Sequence, residues 1–314
     1  MVLKISVGLL LTVCFVTDAF YLYRYQDDVT EHPNWPLLDL KDICGRSATL
    51  RTKTIGGHNA DMAEYPWMAQ LIYRQLKDNS DVGGCGGSVI NKRYVLTAAH
   101  CCVTGYGSKL SHVKLGEYDI HRTKDCLRGR CSPPPLEIDI EEIVMHYKYD
   151  QGSFTLKNDI CLLRLSEDIE FSDYVKPICL PTSKDLMERS FVGSTLTVVG
   201  WGLLEQEPEP RNTDVLQEVR VRVQPDKSCP HEITEEFQES SHICAGNAQT
   251  RDACVGDSGG PLMYTAVEGG VPRHYLVGLV SNGPLCSHEN RAYSPGMYTK
   301  VSKYIGWILD IIHE

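Results

Sequence analysis

Along most of the chain the apolar side chains come in short runs separated by Gly, Pro, Asn and Asp. Trp67–Tyr73, Tyr94–Ala98, Leu136–Val144, Ile160–Leu165, Thr195–Gly200, Val215–Val223 and Leu276–Val280 are examples. Runs of this length, regularly spaced and with little helical periodicity between them, predict an all-β protein, a sandwich or a barrel. The tail differs. Ile305, Ile308, Leu309 and Ile312 fall on one helical face, and Ser302 stands where an N-cap would. The acidic, proline-containing stretch 205–211 reads as an exposed loop.

Two N-terminal stretches break the pattern. Met1–Lys4 is a short basic start, Ile5–Val16 is nearly all apolar, and Thr17-Asp18-Ala19 follows. This is the form of a secretory signal peptide ending near Ala19. The apolar run is too short for a membrane span, and no later stretch qualifies. Residues 20–53 are rich in Tyr, Asp and Pro, lack an amphipathic period and contain one cysteine, Cys44, so an extended segment with little core is expected. The expected organisation is a signal peptide (1–19), a leading segment (20–53) and one main domain (54–314).

Composition sharpens this picture at the cysteines. There are 13 in 314 residues. Cys14 lies in the signal segment, which leaves an even number in a chain sent to an oxidising compartment, where disulfides are expected. No paired C-x-x-C and no H-E-x-x-H suggests zinc, and no N-x-S/T sequon is present. The glycine cluster Gly83–Gly87 lacks the strand-and-helix frame of a dinucleotide site. The net charge is −10. Acidic and basic residues balance within 1–19 and within 20–53, so the whole excess belongs to 54–314. A body of this sign argues against nucleic acid or an anionic membrane as partner, and weakly favours cationic peptides.

Three short strings carry the chemistry. Leu96-Thr97-Ala98-Ala99-His100-Cys101, Asn158-Asp159-Ile160 and Gly256-Asp257-Ser258-Gly259-Gly260-Pro261 occur in that order. A serine hydroxyl is a weak nucleophile and needs an adjacent base. Histidine has the free pKa for that role, and a carboxylate can fix its tautomer and steady the imidazolium. Glycines on both sides of Asp257-Ser258 leave backbone N–H groups unobstructed for an oxyanion.

With these strings, residues 54–314 resemble a chymotrypsin/trypsin-fold serine endopeptidase. The resemblance implies two six-stranded antiparallel β-barrels with a C-terminal helix and the site in the cleft between them. It makes Ser258 the nucleophile, His100 the general base and then acid, and Asp159 the orienting carboxylate, with the N–H groups of Gly256 and Ser258 as oxyanion hole. No cofactor is needed for such catalysis. Asp252, six residues before Ser258, falls at the base of the family's primary specificity pocket and implies cleavage after a cationic residue. Ala253 stands where many trypsins have serine, so an ammonium loses a hydrogen bond while a guanidinium can still pair bidentately, and Arg is expected over Lys. Gly283 and Gly296 match the glycines that keep the pocket open. Ser281-Asn282-Gly283 replaces the family's S-W-G, the stretch Cys286–Pro295 is longer than in digestive trypsins, and Pro295 replaces the aromatic residue of sodium-activated relatives.

Lys53-Thr54-Ile55-Gly56-Gly57 resembles the family's zymogen cleavage site. Cutting after Lys53 would free the Thr54 amine to pair with Asp257 beside the nucleophile. Thr54 departs from the usual Ile or Val, which leaves Arg51 as an alternative cut. The expected Arg preference disfavours self-cleavage at Lys53 and implies an upstream activating protease. By the same resemblance Cys85–Cys101, Cys229–Cys244 and Cys254–Cys286 are core bridges, and Cys44–Cys179 retains the leading segment. Cys126 and Cys131 resemble a surface-loop bridge of arthropod clip-domain proteases of the easter type, although 20–53 holds one cysteine where a clip domain has six. Cys102 and Cys161 are left over, each two residues beyond a triad member, and a bridge between them is geometrically plausible. Glu117 and Asp119 sit where relatives bind calcium through loop oxygens, and Glu137 or Asp139 could contribute.

The expected function is that of a secreted zymogen of an Arg-directed serine endopeptidase in an extracellular cascade of immunity, melanisation, clotting or development. Its implied partners are a protein substrate cleaved after Arg or Lys, the activating protease and a serpin-type inhibitor. A digestive trypsin and a catalytically silent homologue acting as a binding protein are the alternatives.

Overall fold

The computed structural model describes residues 28–48, 58–103, 105, 107–151, 157–202, 214–229, 241–246, 257–282 and 295–314. Its strands, in chain order, are β1 (His58–Asn59), β2 (Met68–Gln75), β3 (Asp81–Val89), β4 (Tyr94–Thr97), β5 (Ser108–Leu115), β6 (Cys126–Leu127), β7 (Arg130–Cys131), β8 (Leu136–Met145), β9 (Cys161–Leu165), β10 (Thr195–Gly200), β11 (Gln217–Arg222), β12 (His242–Ala245), β13 (Pro261–Glu268), β14 (Val271–Asn282) and β15 (Gly296–Lys300). Three short helices accompany them, α1 (Ala99–Cys102), α2 (Lys184–Glu188) and α3 (Ile305–Ile311).

β2, β3, β4, β9, β8 and β5 form a closed antiparallel barrel. β11, β10, β13, β14, β15 and β12 follow one another in the second sheet, with β1 added at the outer edge of β11. A bridge between Val223 and Ala245 joins the two ends of that row. Gln224 N–H donates to Cys244 O at 2.8 Å and Gly246 N–H to Arg222 O at 2.9 Å on either side of it. The expected pair of six-stranded barrels and the C-terminal helix are therefore present.

Each barrel has its own packed interior. Trp67, Leu71, Val95, Leu96, Leu115, Leu162 and Leu163 are sealed in the first, and Leu196, Val198, Val221, Leu262, Val277 and Tyr298 in the second. The apolar runs of the sequence mark β2, β4, β8, β9, β10, β11 and the middle of β14. Other strands gave weaker signals. β3 is half glycine because its neighbours occupy the Cβ positions: a Cβ on Gly87 would lie 2.8 Å from Val95 Cγ1. β5 alternates buried and less buried positions through Leu110, His112 and Val113 and mixes polar side chains into the run.

Two expectations fail here. Ser302 does not cap the last helix. It lies in a 3-10 turn, Val301–Tyr304, that leads into α3, and its hydroxyl donates to Met187 O at 3.3 Å. The described part of the leading segment, 28–48, is also not a loose extended strip. It makes two 3-10 turns, Val29–Glu31 and Trp35–Leu37, the first capped by Asp28. Val29 is 4% exposed and joins the first core, with Trp35, Leu37 and Leu38 against it. Asn34 Nδ2 donates to Leu309 O at 2.9 Å, and His32 Nε2 lies 3.1 Å from Asp310 Oδ1, so the segment docks on α3. Its irregular composition hid this, because the burial depends on a few separated side chains and not on a period.

Among the described residues five bridges form: Cys44–Cys179, Cys85–Cys101, Cys102–Cys161, Cys126–Cys131 and Cys229–Cys244. Cys254 and Cys286, like Cys14 and the expected signal segment and 205–211 loop, lie outside the described residues. Among the described residues no helix is long and apolar enough to cross a membrane.

Val29 anchors the leading segment through apolar contact alone. Val29→Ala removes two buried methyl groups and is expected to destabilise the chain by about 2 kcal/mol. A guanidinium unfolding curve checks this, and an unchanged midpoint would show that the segment is not part of the cooperative fold.

Candidate active site

His100 and Asp159 both come from the first barrel. His100 sits in α1, the single turn that follows β4, and Asp159 sits just before β9. β4 and β9 are neighbours, with Thr97 opposite Cys161, so the two side chains start from adjacent strand ends. The Cys102–Cys161 bridge ties the same two elements together. Asn158 has φ 57°, a left-handed conformation that asparagine tolerates better than most residues, and it turns the chain so that Asp159 points inward.

Asp159 is fully buried, and its carboxylate accepts three hydrogen bonds. His100 N–H donates to Oδ1 at 2.9 Å. His100 Nδ1 lies 2.8 Å from Oδ2, and Ser281 Oγ donates to Oδ2 at 2.6 Å. A buried carboxylate so surrounded is an acceptor, which assigns the proton to Nδ1 of His100 and leaves Nε2 as the basic nitrogen. The imidazole side chain is 26% exposed while its partner is closed off, so it has one edge toward solvent. The same aspartate is held from the second barrel through its backbone, where Thr299 Oγ1 donates to its carbonyl at 2.9 Å. Burial and the Asp159 charge push the Tyr149 and Tyr304 phenols up to about 12, so both neighbours stay neutral.

Ser258 is half buried on the turn before β13. The backbone around it is fixed at several points. Gly86 N–H of β3 donates to Ser258 O at 2.8 Å, Gly259 N–H donates to Val280 O at 2.8 Å, and Gly260 N–H donates to Asp257 O at 2.8 Å. Gly259 has φ 73°, and a Cβ there would lie 2.1 Å from Thr97 Oγ1. Glycine is thus required for the turn to close against the first barrel. Asp257 is buried beside Gly200 and Gly202, and Gly202 N–H donates to its Oδ1 at 2.8 Å. A Cβ on Gly200 would lie 2.1 Å from that oxygen and one on Gly202 2.5 Å from the carboxylate. Gly200, Gly202 and Thr299 were not singled out from the sequence, because nothing local connects them to the site, and Gly86 and Thr97 were given no role in holding this turn. The D-S-G-G run was the available clue that something must pack closely on this turn.

The structure therefore brings His100, Asp159 and Ser281 together and places Ser258 and Asp257 on the neighbouring second-barrel turn. Gly296 opens β15, where among the described residues a Cβ would meet Tyr298 at an ordinary 3.5 Å. Asn282 ends β14 and is exposed. Lys53, Thr54, Arg51, Asp252, Ala253, Gly256 and Gly283 lie outside the described residues.

In the expected calcium loop, Glu117 and Asp119 are buried and have partners within the chain. Tyr118 N–H donates to Glu117 Oε1 at 3.0 Å, and Arg122 Nε pairs with Asp119 Oδ2 at 3.0 Å. Glu137 is ion-paired with Lys114 at 3.1 Å, and Asp139 is exposed. The neighbour that the sequence reading left out is Asp125, 1% exposed, whose two carboxylate oxygens lack hydrogen-bond partners. Hard oxygen donors of this kind suit calcium, but among the described residues they do not close to a common ligand distance. The one three-residue cluster that does is Cys85, His100 and Cys101, and its two sulfurs are already joined. Burial, with the Asp125 and Asp119 charges adding to it, pushes the Glu117 carboxyl up to about 7.

Ser281 makes one of three hydrogen bonds to the Asp159 carboxylate. A hydrogen bond to a charged group contributes about 1.5 kcal/mol or more, so Ser281→Ala is expected to lower kcat about tenfold with KM little changed. Steady-state hydrolysis of a small amide substrate measures this. For Glu117 the folded pKa lies above the ordinary 4.5, so folding favours the protonated form. The contribution is present below pH about 4.5 and is lost as pH rises through about 7. Glu117→Gln is therefore expected to stabilise the chain by about 1–2 kcal/mol at pH 8 and not at pH 4 in chelator-containing buffer, read from unfolding curves.

Residues 54–308 match the trypsin family. The chain is 39% identical over 262 residues to phenoloxidase-activating factor 3 of Holotrichia diomphalia, covering 82% of this chain and 71% of that one. It is 36% identical over 307 residues to serine protease ea of Drosophila melanogaster, covering 93% and 76%, and 35% identical over 280 residues to the Spaetzle-processing enzyme of the same organism, covering 85% and 68%. The solved structure of the Drosophila Grass clip serine protease of the Toll pathway superposes with a TM-score of 0.72 at 34% identity, covering 87% of this chain and 76% of that one. The two barrels, the ordered strings of the sequence and these relatives agree: the chain belongs to the trypsin family of serine endopeptidases and is homologous to the clip-domain cascade proteases.

Proposed function

We propose that the chain is a secreted zymogen, with 1–19 a signal peptide, 20–53 a disulfide-tethered leading segment and 54–314 the catalytic domain, which cleaves protein substrates after Arg and less well after Lys. The observation that carries this reading is the buried Asp159 carboxylate hydrogen-bonded to His100 across the barrel junction from Ser258. His100 Nε2 takes the Ser258 proton as Oγ attacks the scissile carbonyl, and Asp159 steadies the imidazolium that forms. The N–H groups of Gly256 and Ser258 hold the oxyanion. The imidazolium then returns the proton to the leaving amine, and a water repeats the sequence to release the acyl group. This is the family's general mechanism, and it needs no cofactor.

Asp252 would meet the cationic side chain at the pocket base, and Ala253 would tilt the choice toward a bidentate guanidinium. Cleavage after Lys53 would free Thr54 to reach Asp257, whose carboxylate is buried beside Gly202 and ready to hold the oxyanion turn. An ammonium paired there keeps one conformation, whereas a missing partner is costly. Relatives named for phenoloxidase activation and Spaetzle processing support a place in an extracellular cascade, with an upstream activating protease and a serpin-type inhibitor as its partners.

The test is to incubate the Ser258→Ala chain with native extracellular fluid and sequence the new N-terminus. Thr54 is expected, and another terminus would overturn the activation model. The wild-type chain cut at that bond should hydrolyse an Arg-amide about tenfold faster than the Lys-amide, the worth of one charge-assisted hydrogen bond, and Ser258→Ala should hydrolyse neither. Equal rates would remove the role given to Ala253, and no turnover would remove the enzyme reading.

A further inference from the structure

β6 and β7 form a two-stranded ribbon in which Cys126 faces Cys131 and Leu127 faces Arg130. The Cys126–Cys131 bridge closes its open end. Its turn is Arg128-Gly129, with φ 51° and 79°. Two successive left-handed residues are the mark of a type I′ hairpin turn, whose first position favours Asn, Asp or Gly. An arginine there adopts a conformation that long side chains avoid, and such a departure points to a use for the side chain itself. The ribbon is also tied to the body, since Tyr174 OH donates to Cys131 O at 3.4 Å.

Beneath the ribbon is a cavity of about 170 Å³ whose lining includes Ala48, Asp61, Arg128, Arg130, Asp173 and Tyr174. The acidic side chains on its walls are engaged. Lys176 Nζ pairs with Asp173 Oδ1 at 2.8 Å, and Asp61 has an interaction of its own. The arginines differ. Every ion pair and side-chain hydrogen bond among the described residues leaves out Arg128 and Arg130, and both are exposed. Two guanidinium groups outside any ion pair among the described residues, one of them (Arg130) also attracting the Asp173 carboxylate, thus stand on a short disulfide-closed hairpin of a domain that carries the whole −10 charge of the protein.

The position of the cavity identifies its occupant. Ala48 N–H donates to Ala63 O at 3.3 Å, and Ser47 Oγ donates to Glu64 O, so the two ends of the chain stretch that contains Lys53-Thr54 are fastened together at the cavity rim. Five residues of chain reach at most about 18 Å. Lys53 therefore lies within that distance of Ala48. A protease that takes Lys53 into its own cleft covers about 800 Å² of its target, and the cavity rim at Ala48 is five residues along the chain from that bond.

We propose that the cavity under the Cys126–Cys131 ribbon is a docking site for an acidic peptide segment of the protease that activates this zymogen, its carboxylates pairing with Arg128 and Arg130. The inference rests on the reading that activation occurs after Lys53. The remainder of the domain repels an acidic partner, so the ribbon selects one orientation of approach and rejects proteases without the acidic segment. Because the disulfide closes the hairpin, little backbone ordering opposes the pairing.

The test uses the full-length Ser258→Ala chain and its Arg128→Glu/Arg130→Glu variant. Each is cut in native extracellular fluid and, separately, by pancreatic trypsin, with the site identified by N-terminal sequencing. The variant is expected to be cut after Lys53 at least tenfold more slowly in the fluid and at an unchanged rate by trypsin, which also shows that it is folded. Hexaglutamate is expected to bind the parent chain in calorimetry and to bind the variant at least tenfold more weakly, with hexaglutamine binding neither. Equal cutting in the fluid, equal slowing by trypsin, or equal hexaglutamate binding would each overturn the proposal. A cut at a bond other than Lys53–Thr54 would instead overturn the activation reading on which it rests.

Discussion

The buried Asp159 carboxylate is the constraint on which the rest of this molecule turns. A carboxylate at zero exposure is tolerated only if its lone pairs are used. Here they are used by groups from both barrels. His100 supplies two donors from the first barrel, and Ser281 supplies one from the second, while Thr299 grips the Asp159 carbonyl. The barrels are thereby held in one relative position by the same hydrogen bonds that orient the imidazole. Loss of any one donor would leave a lone pair of a buried carboxylate unmatched, so structural economy and chemical need coincide at one side chain.

A second set of contacts serves the same junction from the outside. The Cys102–Cys161 bridge joins the elements that bear His100 and Asp159, and β3 receives the Ser258 turn through Gly86. The leading segment packs on α3 through Val29, Asn34 and His32 and is covalently fixed by Cys44–Cys179. Arg273, from β14, reaches the carbonyl of Lys41 and extends that attachment onto the second barrel. The segment is thus integral to the folded body on the described stretch, independently of the backbone link that follows it.

How much of this was legible depended on how local the signal was. β2, β4, β9 and β10 announced themselves because buried strands of barrels are continuous runs of apolar, branched side chains. β3 did not, since its glycines exist to let Val95, Gln70 and the Ser258 turn approach, and glycine weakens every local strand signal. Ser302 was misplaced by two residues' worth of 3-10 turn, a distinction that depends on packing against Met187 and not on capping chemistry. The leading segment looked featureless because three separated residues, not a period, do the docking.

The sequence by itself determined the all-β class, the ordered His, Asp and Ser strings, the family, and the cysteine inventory, because each is written in residue type and short spacing. Tertiary structure decided the partners that make those residues a site. Ser281 and Thr299 lie 122 and 140 residues from Asp159 along the chain, and Gly202 lies 55 residues from Asp257. It also decided that the Cys126–Cys131 ribbon shares a cavity with Ala48 and Asp61. Hydrogen bonds and cavities depend on distances in space, and only the closure of two barrels against each other sets those distances.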